Sequence, residues 1–175
     1  MIRVASQLTF CSPEKILRRT VVERDNQNRI TQLFSLDESP VESAQTLFFD
    51  GIISAEIVSL KQNIPSDKIP EIVKRYNYID ISGDVFQINL VSEMTLILDF
   101  GTNSMEEINS KLAKLSIELS NIPVFDLIAA CVYFPAVLIG KEAELRINRQ
   151  TDLVLWENVN LPEKQLTLKS RIRII

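Results

Sequence analysis

Strand-like patterning occupies both ends of this chain, and helical periodicity is confined to the stretch between them. That order limits the fold more than any other feature. Val4, Gln7 and Phe10 lie in a short strand-like stretch that ends at Ser12-Pro13. Arg19 to Arg24 is β-branched and apolar at its centre, Asp25 to Asn28 is a polar turn, and Arg29 to Phe34 returns, so a hairpin is expected. Asp37 to Pro40 reads as a loop. Thr46 to Phe49 reads as a short strand, Asp50-Gly51 as a turn and Ile52-Ile53 as a further apolar pair. At the other end, Glu144 to Ile147, Asp152 to Glu157 and Leu166 to Ile175 read as strands. Terminal β segments on either side of an α/β middle imply that the two ends share one sheet or sandwich.

In the middle, Ser66 is a candidate N-cap for a helix from Asp67 to Tyr76, with Pro70 in its first turn. Tyr78 to Ile81 and Val85 to Leu90 read as strands. Glu93 to Phe100 is nearly continuous in apolar residues, as expected of a strand covered on both faces in a parallel sheet. Ser104 and Glu107 form a capping box ahead of a helix from Met105 to Ser120, with Met105, Ile108, Leu112, Leu115 and Leu119 on one stripe. A second helix, apolar nearly all round, is expected from Val124 to Phe134, where Pro135 would end or kink it.

Composition removes several classes of chemistry. The chain has no histidine, so Ser-His-Asp and Cys-His catalysis and every His-ligated metal site are excluded. Cys11 and Cys131 are far apart and read as reduced, buried thiols. A net charge of −4 argues against a general nucleic-acid binder. Lys169, Arg171 and Arg173 alternate with apolar residues, which suits an edge strand protected by outward charge better than an anion site. The four glycines are isolated, so no phosphate-binding loop is present. No apolar run approaches the ~20 residues that span a bilayer, and the N-terminal stretch lacks a signal peptide's apolar core. A soluble, cytoplasmic protein without a membrane segment or nucleic-acid partner is expected. Glu106-Glu107 suit the first turn of a helix. Trp156 and Phe134 read as core aromatics.

Four segments, in order, resemble the amidohydrolase superfamily, in particular metal-dependent hydrolases of the imidazolonepropionase and cytosine-deaminase type. Phe49 to Ser59 is similar to the segment N-G-I-I-x-P-G that leads into the first barrel strand. Leu98 to Ser104 resembles the G-T-D-S end of the last barrel strand. Phe125 to Gly140 resembles the helix and loop A-T-x-N-P-A-x-x-L-G, and Leu145 to Trp156 the returning strands, with Asp152-Leu153-Val154-Leu155 as the most recognisable piece. The resemblance implies a mixed α+β fold: a composite β-sandwich from residues 1–60 and 140–175 packed on a small α/β remnant, 61–139, with two or three helices.

The departures from that pattern define the candidate site. Lys61, Gln62 and Asn63 stand where the family has its H-x-H metal ligands, and Asn103 stands where it has the catalytic aspartate. A protonated lysine cannot ligate a cation, and an amide cannot act as a general base near neutral pH. Asn148, Arg149 and Thr151 also depart, from glycine, lysine and alanine. The 61–139 segment is about a third of the roughly 250 residues that a complete barrel takes. The resemblance therefore implies a non-catalytic protein, a binding or interaction module with no catalytic residue, metal or cofactor. Closure of the exposed barrel remnant would come from homodimerisation. The competing expectation is a minimal hydrolase acting on carbon–nitrogen bonds, with a carboxylate or magnesium site on Asp80, Asp84 and Asp99.

Overall fold

The computed structural model of the chain describes residues 1–37, 45–83, 88, 90–91 and 93–175. Strands β1 (Ile2–Ser12), β2 (Lys15–Arg24), β3 (Ile30–Ser35), β4 (Thr46–Ala55), β7 (Leu153–Glu157) and β8 (Arg171–Ile174) form one sheet in the order β3-β2-β1-β4-β7-β8. Both chain ends thus meet in a single β layer, and the mixed α+β class expected from the sequence is what forms. β1 and β4 are parallel; every other pair in the sheet is antiparallel. A second, two-stranded parallel sheet pairs β5 (Asn77–Asp80) with β6 (Leu96–Asp99). The helices are α1 (Leu60–Asn63), α2 (Ile69–Arg75), α3 (Met105–Glu118), α4 (Val124–Ile128) and α5 (Phe134–Leu138). One apolar cluster joins the layers, from Val4, Phe10 and Val22 through Ile79 and Leu98 to Ile108, Leu112, Leu127 and Trp156.

The β2–β3 hairpin forms where the polar turn predicts it. Asp25 closes it by accepting from the Gln27 and Arg29 N–H groups at 2.8 and 2.9 Å. Those two bonds hold the Asp25 carboxyl below its usual range. The Ser104 hydroxyl caps α3 by accepting from the Glu107 N–H. The α3 stripe is buried as its periodicity requires, while Ile117 faces solvent. Beside the stripe, the Asn109 side chain behaves like a further strand. Its amide accepts from Ile172 N at 2.7 Å and donates to Ile172 O at 2.8 Å, covering the free edge of β8. The outward charges Arg171 and Arg173 therefore share the protection of that edge with a side-chain amide.

Several local expectations are corrected. Asp50-Gly51 is not a turn. Thr46 to Ala55 is one strand, and Gly51 (φ 144°) lies inside it because a Cβ there would sit 2.1 Å from the Trp156 carbonyl oxygen. Ser66 caps nothing; it opens a 3₁₀ turn, Ser66–Lys68, and Pro70 in the first turn of α2 sets where the α-helix begins. Glu144 to Ile147 is irregular: Leu145 is buried singly and its N–H goes to the Cys11 carbonyl at 2.9 Å. Only Arg171–Ile174 of the last segment is strand. Pro135 does not end the second helix. The residues before it, Ala129–Tyr133, widen into a π turn, and the helix continues to Leu138. A π turn makes room for the proline ring and the N–H it lacks. Residues 38–40 of the loop after β3 and most of the Val85 to Leu90 stretch lie outside the described residues.

The apolar second helix is covered within the chain. Val124, Leu127, Ile128, Ala130 and Val132 are all at most 2% exposed. Phe125 and Phe134 of the same stretch are only partly buried.

Candidate functional site

The candidate site forms where β4, β5 and β6 end. β5 and β6 run parallel with Asp80 opposite Asp99, so register alone sets the two carboxylates side by side at the strands' C-terminal ends. Asp99 terminates an apolar run and is completely buried. A carboxylate there is tolerable only with its acceptor positions filled, and they are. Oδ1 accepts from the Ser59 hydroxyl at 2.8 Å and from Gly101 N at 2.9 Å. Oδ2 accepts from Lys61 N and from the Tyr78 hydroxyl, both at 2.9 Å. Burial, then the neighbouring Asp99 charge, pushes the Tyr78 phenol well above its ordinary pKa, so it stays a donor.

Asp80 is partly exposed and carries the second set of contacts. The Lys61 ammonium pairs with Asp80 Oδ2 and also donates to the Ser82 hydroxyl at 2.9 Å. Ser82 in turn donates to Asp80 Oδ1 from its hydroxyl at 2.6 Å and from its N–H at 3.0 Å. Burial alone would raise the Asp80 carboxyl; the bonds from Lys61 and Ser82 outweigh it and hold the group below the usual carboxylate range. Lys111 reaches in from α3 and donates to the Ile81 and Ser82 carbonyls, both at 2.6 Å.

The four positions singled out in the sequence behave unequally. Lys61 sits at the centre of this knot through both its N–H and its ammonium. Gln62 donates to the Gly101 carbonyl at 3.3 Å. Asn63 turns back along α1 to the Ser59 carbonyl at 2.7 Å. Asn103 is exposed, and its side chain has no hydrogen-bond partner among the described residues. Ser59, Tyr78 and Ser82 were not singled out by motif. The one signal that pointed towards them was the aspartate inside the apolar run, since a carboxylate in such a place demands donors. Of the carboxylates considered for magnesium, Asp84 lies outside the described residues.

The chemistry open to this arrangement is narrow. A serine beside a lysine and an aspartate resembles a Ser–Lys nucleophile pair, yet the donors run the wrong way. The Lys61 ammonium donates to Ser82 and has no lone pair to accept the hydroxyl proton, which is given to Asp80. Asp99 has no acceptor position left for a cation. Among the described residues, no group of three His, Cys, Asp or Glu side chains converges as metal ligands would. The thiols offer no alternative. Burial pushes Cys11 up to about 11 and Cys131 higher still, so neither provides a thiolate nucleophile near neutral pH.

No family model matches the sequence, and no curated protein does. Weak structural likenesses are to a deacetylase and to a protein assigned as a prolidase. An N-acetyl-D-glucosamine-6-phosphate deacetylase from Mycobacterium smegmatis, a point mutant in complex with N-acetyl-D-glucosamine-6-phosphate, matches with a TM-score of 0.27 and 9% identity over 69% of this chain and 30% of that one. A protein from Bifidobacterium longum assigned as a prolidase matches with a TM-score of 0.27 and 13% identity, over 69% and 28%. The deacetylase in a second structure gives 0.26 and 9%, over 69% and 33%. This chain thus spans about a third of the length of each, and likeness at this level assigns no activity. Among the described residues, no helix is long and apolar enough to cross a membrane.

Proposed function

We propose that this chain is a non-catalytic, amidohydrolase-like protein that acts as a binding or interaction module. The observation that carries the reading is the occupation of Asp99. All four of its acceptor positions are used to join α1, β5, β6 and the turn after β6. The carboxylate at the strand ends is spent on holding the backbone together. The neighbouring Lys61, Gln62 and Asn63 are engaged in the same local bonding. A carboxylate that must bind a cation or move a proton needs an open acceptor or a labile partner; Asp99 has neither, and Asp80 is held by Lys61 and Ser82.

A homodimer remains part of this proposal. Leu47 and Phe48 are 58% and 59% exposed on the first half of β4. There β4 pairs with β1 on one side, while β7 pairs only with Ile52 to Ala55 on the other. A half-open strand carrying two exposed large apolar residues suits a second copy added along that edge.

The test is a hydrolysis assay on purified chain with an N-acetylated amino sugar phosphate and with an X-Pro dipeptide, read as released amine. No turnover above buffer is expected. Turnover that disappears in Lys61→Met or Asp80→Asn would overturn the reading and restore the carboxylate hydrolase.

A further inference from the structure

Away from the residues that hold Asp99, a cavity of about 820 Å³ lies between β1, β2, α4 and the segment that precedes β8. Its apolar lining comes from Leu8, Ile16, Phe125 and Leu161, all only partly buried against the core. Its charged lining consists of three cations, Arg18, Arg19 and Lys164, against one carboxylate, Asp37. Arg19 is paired with Asp37 at 3.3 Å. Arg18 and Lys164 have no ionic or hydrogen-bonded side-chain partner among the described residues. The chain as a whole is acidic, with a net charge of −4, so a cavity whose lining among the described residues is mainly cationic runs against its average.

The local backbone has been distorted at this place. Gln7 of β1, also in the lining, sits at an irregularity in the sheet: the register with β4 slips by one residue between Ser6 and Leu8. On the other flank Arg19 takes φ 45°, a left-handed conformation inside a strand. A bulged strand re-aims its side chains, and such features gather beside binding sites. Here the irregularity lies beside the Arg18–Arg19 pair.

We propose that this cavity binds a small amphiphilic anion, with a carboxylate or phosphate head at Arg18 and Lys164 and an apolar body along Leu8, Ile16, Phe125 and Leu161. The volume is that of a small-molecule pocket, and the combination of free cations with half-buried apolar side chains is complementary to both ends of such a ligand. This deepens the binding role proposed above by giving it a site and a ligand class.

The test is calorimetric titration of the full chain with three probes of equal tail length, each below its micelle concentration: decanoate, decyl phosphate and decyltrimethylammonium. Saturable one-to-one binding of either anion is expected, at least about tenfold tighter than the cation, which corresponds to one charge-assisted contact. The tighter of the two anions identifies the head group. The double variant Arg18→Glu, Lys164→Glu is expected to lose at least about tenfold in anion affinity. Should that variant not fold, the wild-type affinity for the anion is expected to fall as salt rises, as exposed charge pairing requires. Equal affinity for the cation, absence of saturable binding, wild-type affinity in the folded double variant, or binding to anionic vesicles without binding to the soluble anions would each overturn the proposal. Hydrolytic turnover would overturn the non-catalytic reading without touching the cavity, and failed titrations would remove the cavity ligand without implying catalysis.

Discussion

Replacing Asp99 with asparagine isolates what the buried carboxylate does. The substitution keeps the shape and changes one oxygen to an NH₂ group. Each Asp99 oxygen accepts from one hydroxyl and one backbone N–H: Ser59 with Gly101 at Oδ1, Tyr78 with Lys61 at Oδ2. A hydroxyl can rotate and accept from the new amide, but a backbone N–H cannot. Whichever way the amide is placed, one backbone donor loses its acceptor, and the bonds that survive lose their charge. A lost bond to a charged group costs about 1.5–3 kcal/mol, so Asp99→Asn is expected to destabilise the chain by about 3 kcal/mol. Asp99→Ala leaves all four donors without a partner and is expected to cost about 3–5 kcal/mol, a large fraction of a typical domain's stability. Trp156 is the only tryptophan and is 1% exposed, so its fluorescence reports unfolding. With a urea slope of about 2 kcal/mol per molar, the asparagine variant should lower the midpoint by about 1.5 M. Lys61→Met, which removes a partly exposed ion pair and the bond to the exposed Ser82 hydroxyl, should cost about 1 kcal/mol. An Asp99→Asn midpoint within about 0.25 M of wild type would refute the reasoning, because four satisfied bonds could not then depend on the charge.

Three further outcomes follow from the packing. Gly51→Ala should destabilise by at least about 2 kcal/mol, since its Cβ would meet the Trp156 carbonyl at a left-handed φ, whereas Gly140→Ala, strained but with nothing within 4 Å, should cost about 1 kcal/mol; equal urea midpoints would contradict this. Cys11 and Cys131 should be inert to a thiol reagent at pH 8 and react together only on unfolding, because both are buried with raised pKa values. The unfolded thiols ionise first, so the same shift should remove stability as pH rises above about 8.5. A fast-reacting thiol in folded protein would show that burial wrong. Light scattering at micromolar concentration should give a dimer mass that Phe48→Lys reduces to a monomer; a wild-type monomer at all concentrations would remove the second copy from the proposal.

Much of the fold was legible because its signals are local. The Asp25–Asn28 turn and the α3 stripe are set by a few neighbouring residues and form as read; of the Ser104–Glu107 capping box only the Ser104 half forms, because the Ser104 N–H goes to the Thr102 hydroxyl. What failed depends on partners distant in sequence. Asp50-Gly51 carries the composition of a turn, but the glycine is required by the close approach of Trp156, more than a hundred positions away in the chain. The helix through Pro135 survives because a π turn accommodates the proline, which no propensity rule foresees.

At the site, residue types were informative and connections were not. The absence of histidine excludes histidine-ligated metal binding by composition alone. The Asp99 bonds to Ser59 and Tyr78 span 40 and 21 residues; the β5–β6 register brings Tyr78 to Asp99 and the start of α1 brings Ser59. The aspartate in the apolar run was the visible trace of that network.

The central claim, that the strand-end carboxylates hold the fold rather than a reacting metal, is tested most directly by metal analysis. The chain would be equilibrated with excess zinc or magnesium, desalted and assayed for metal per chain. The account predicts far less than one equivalent of either. About one equivalent per chain, lost on Asp80→Asn without loss of folding, would contradict it.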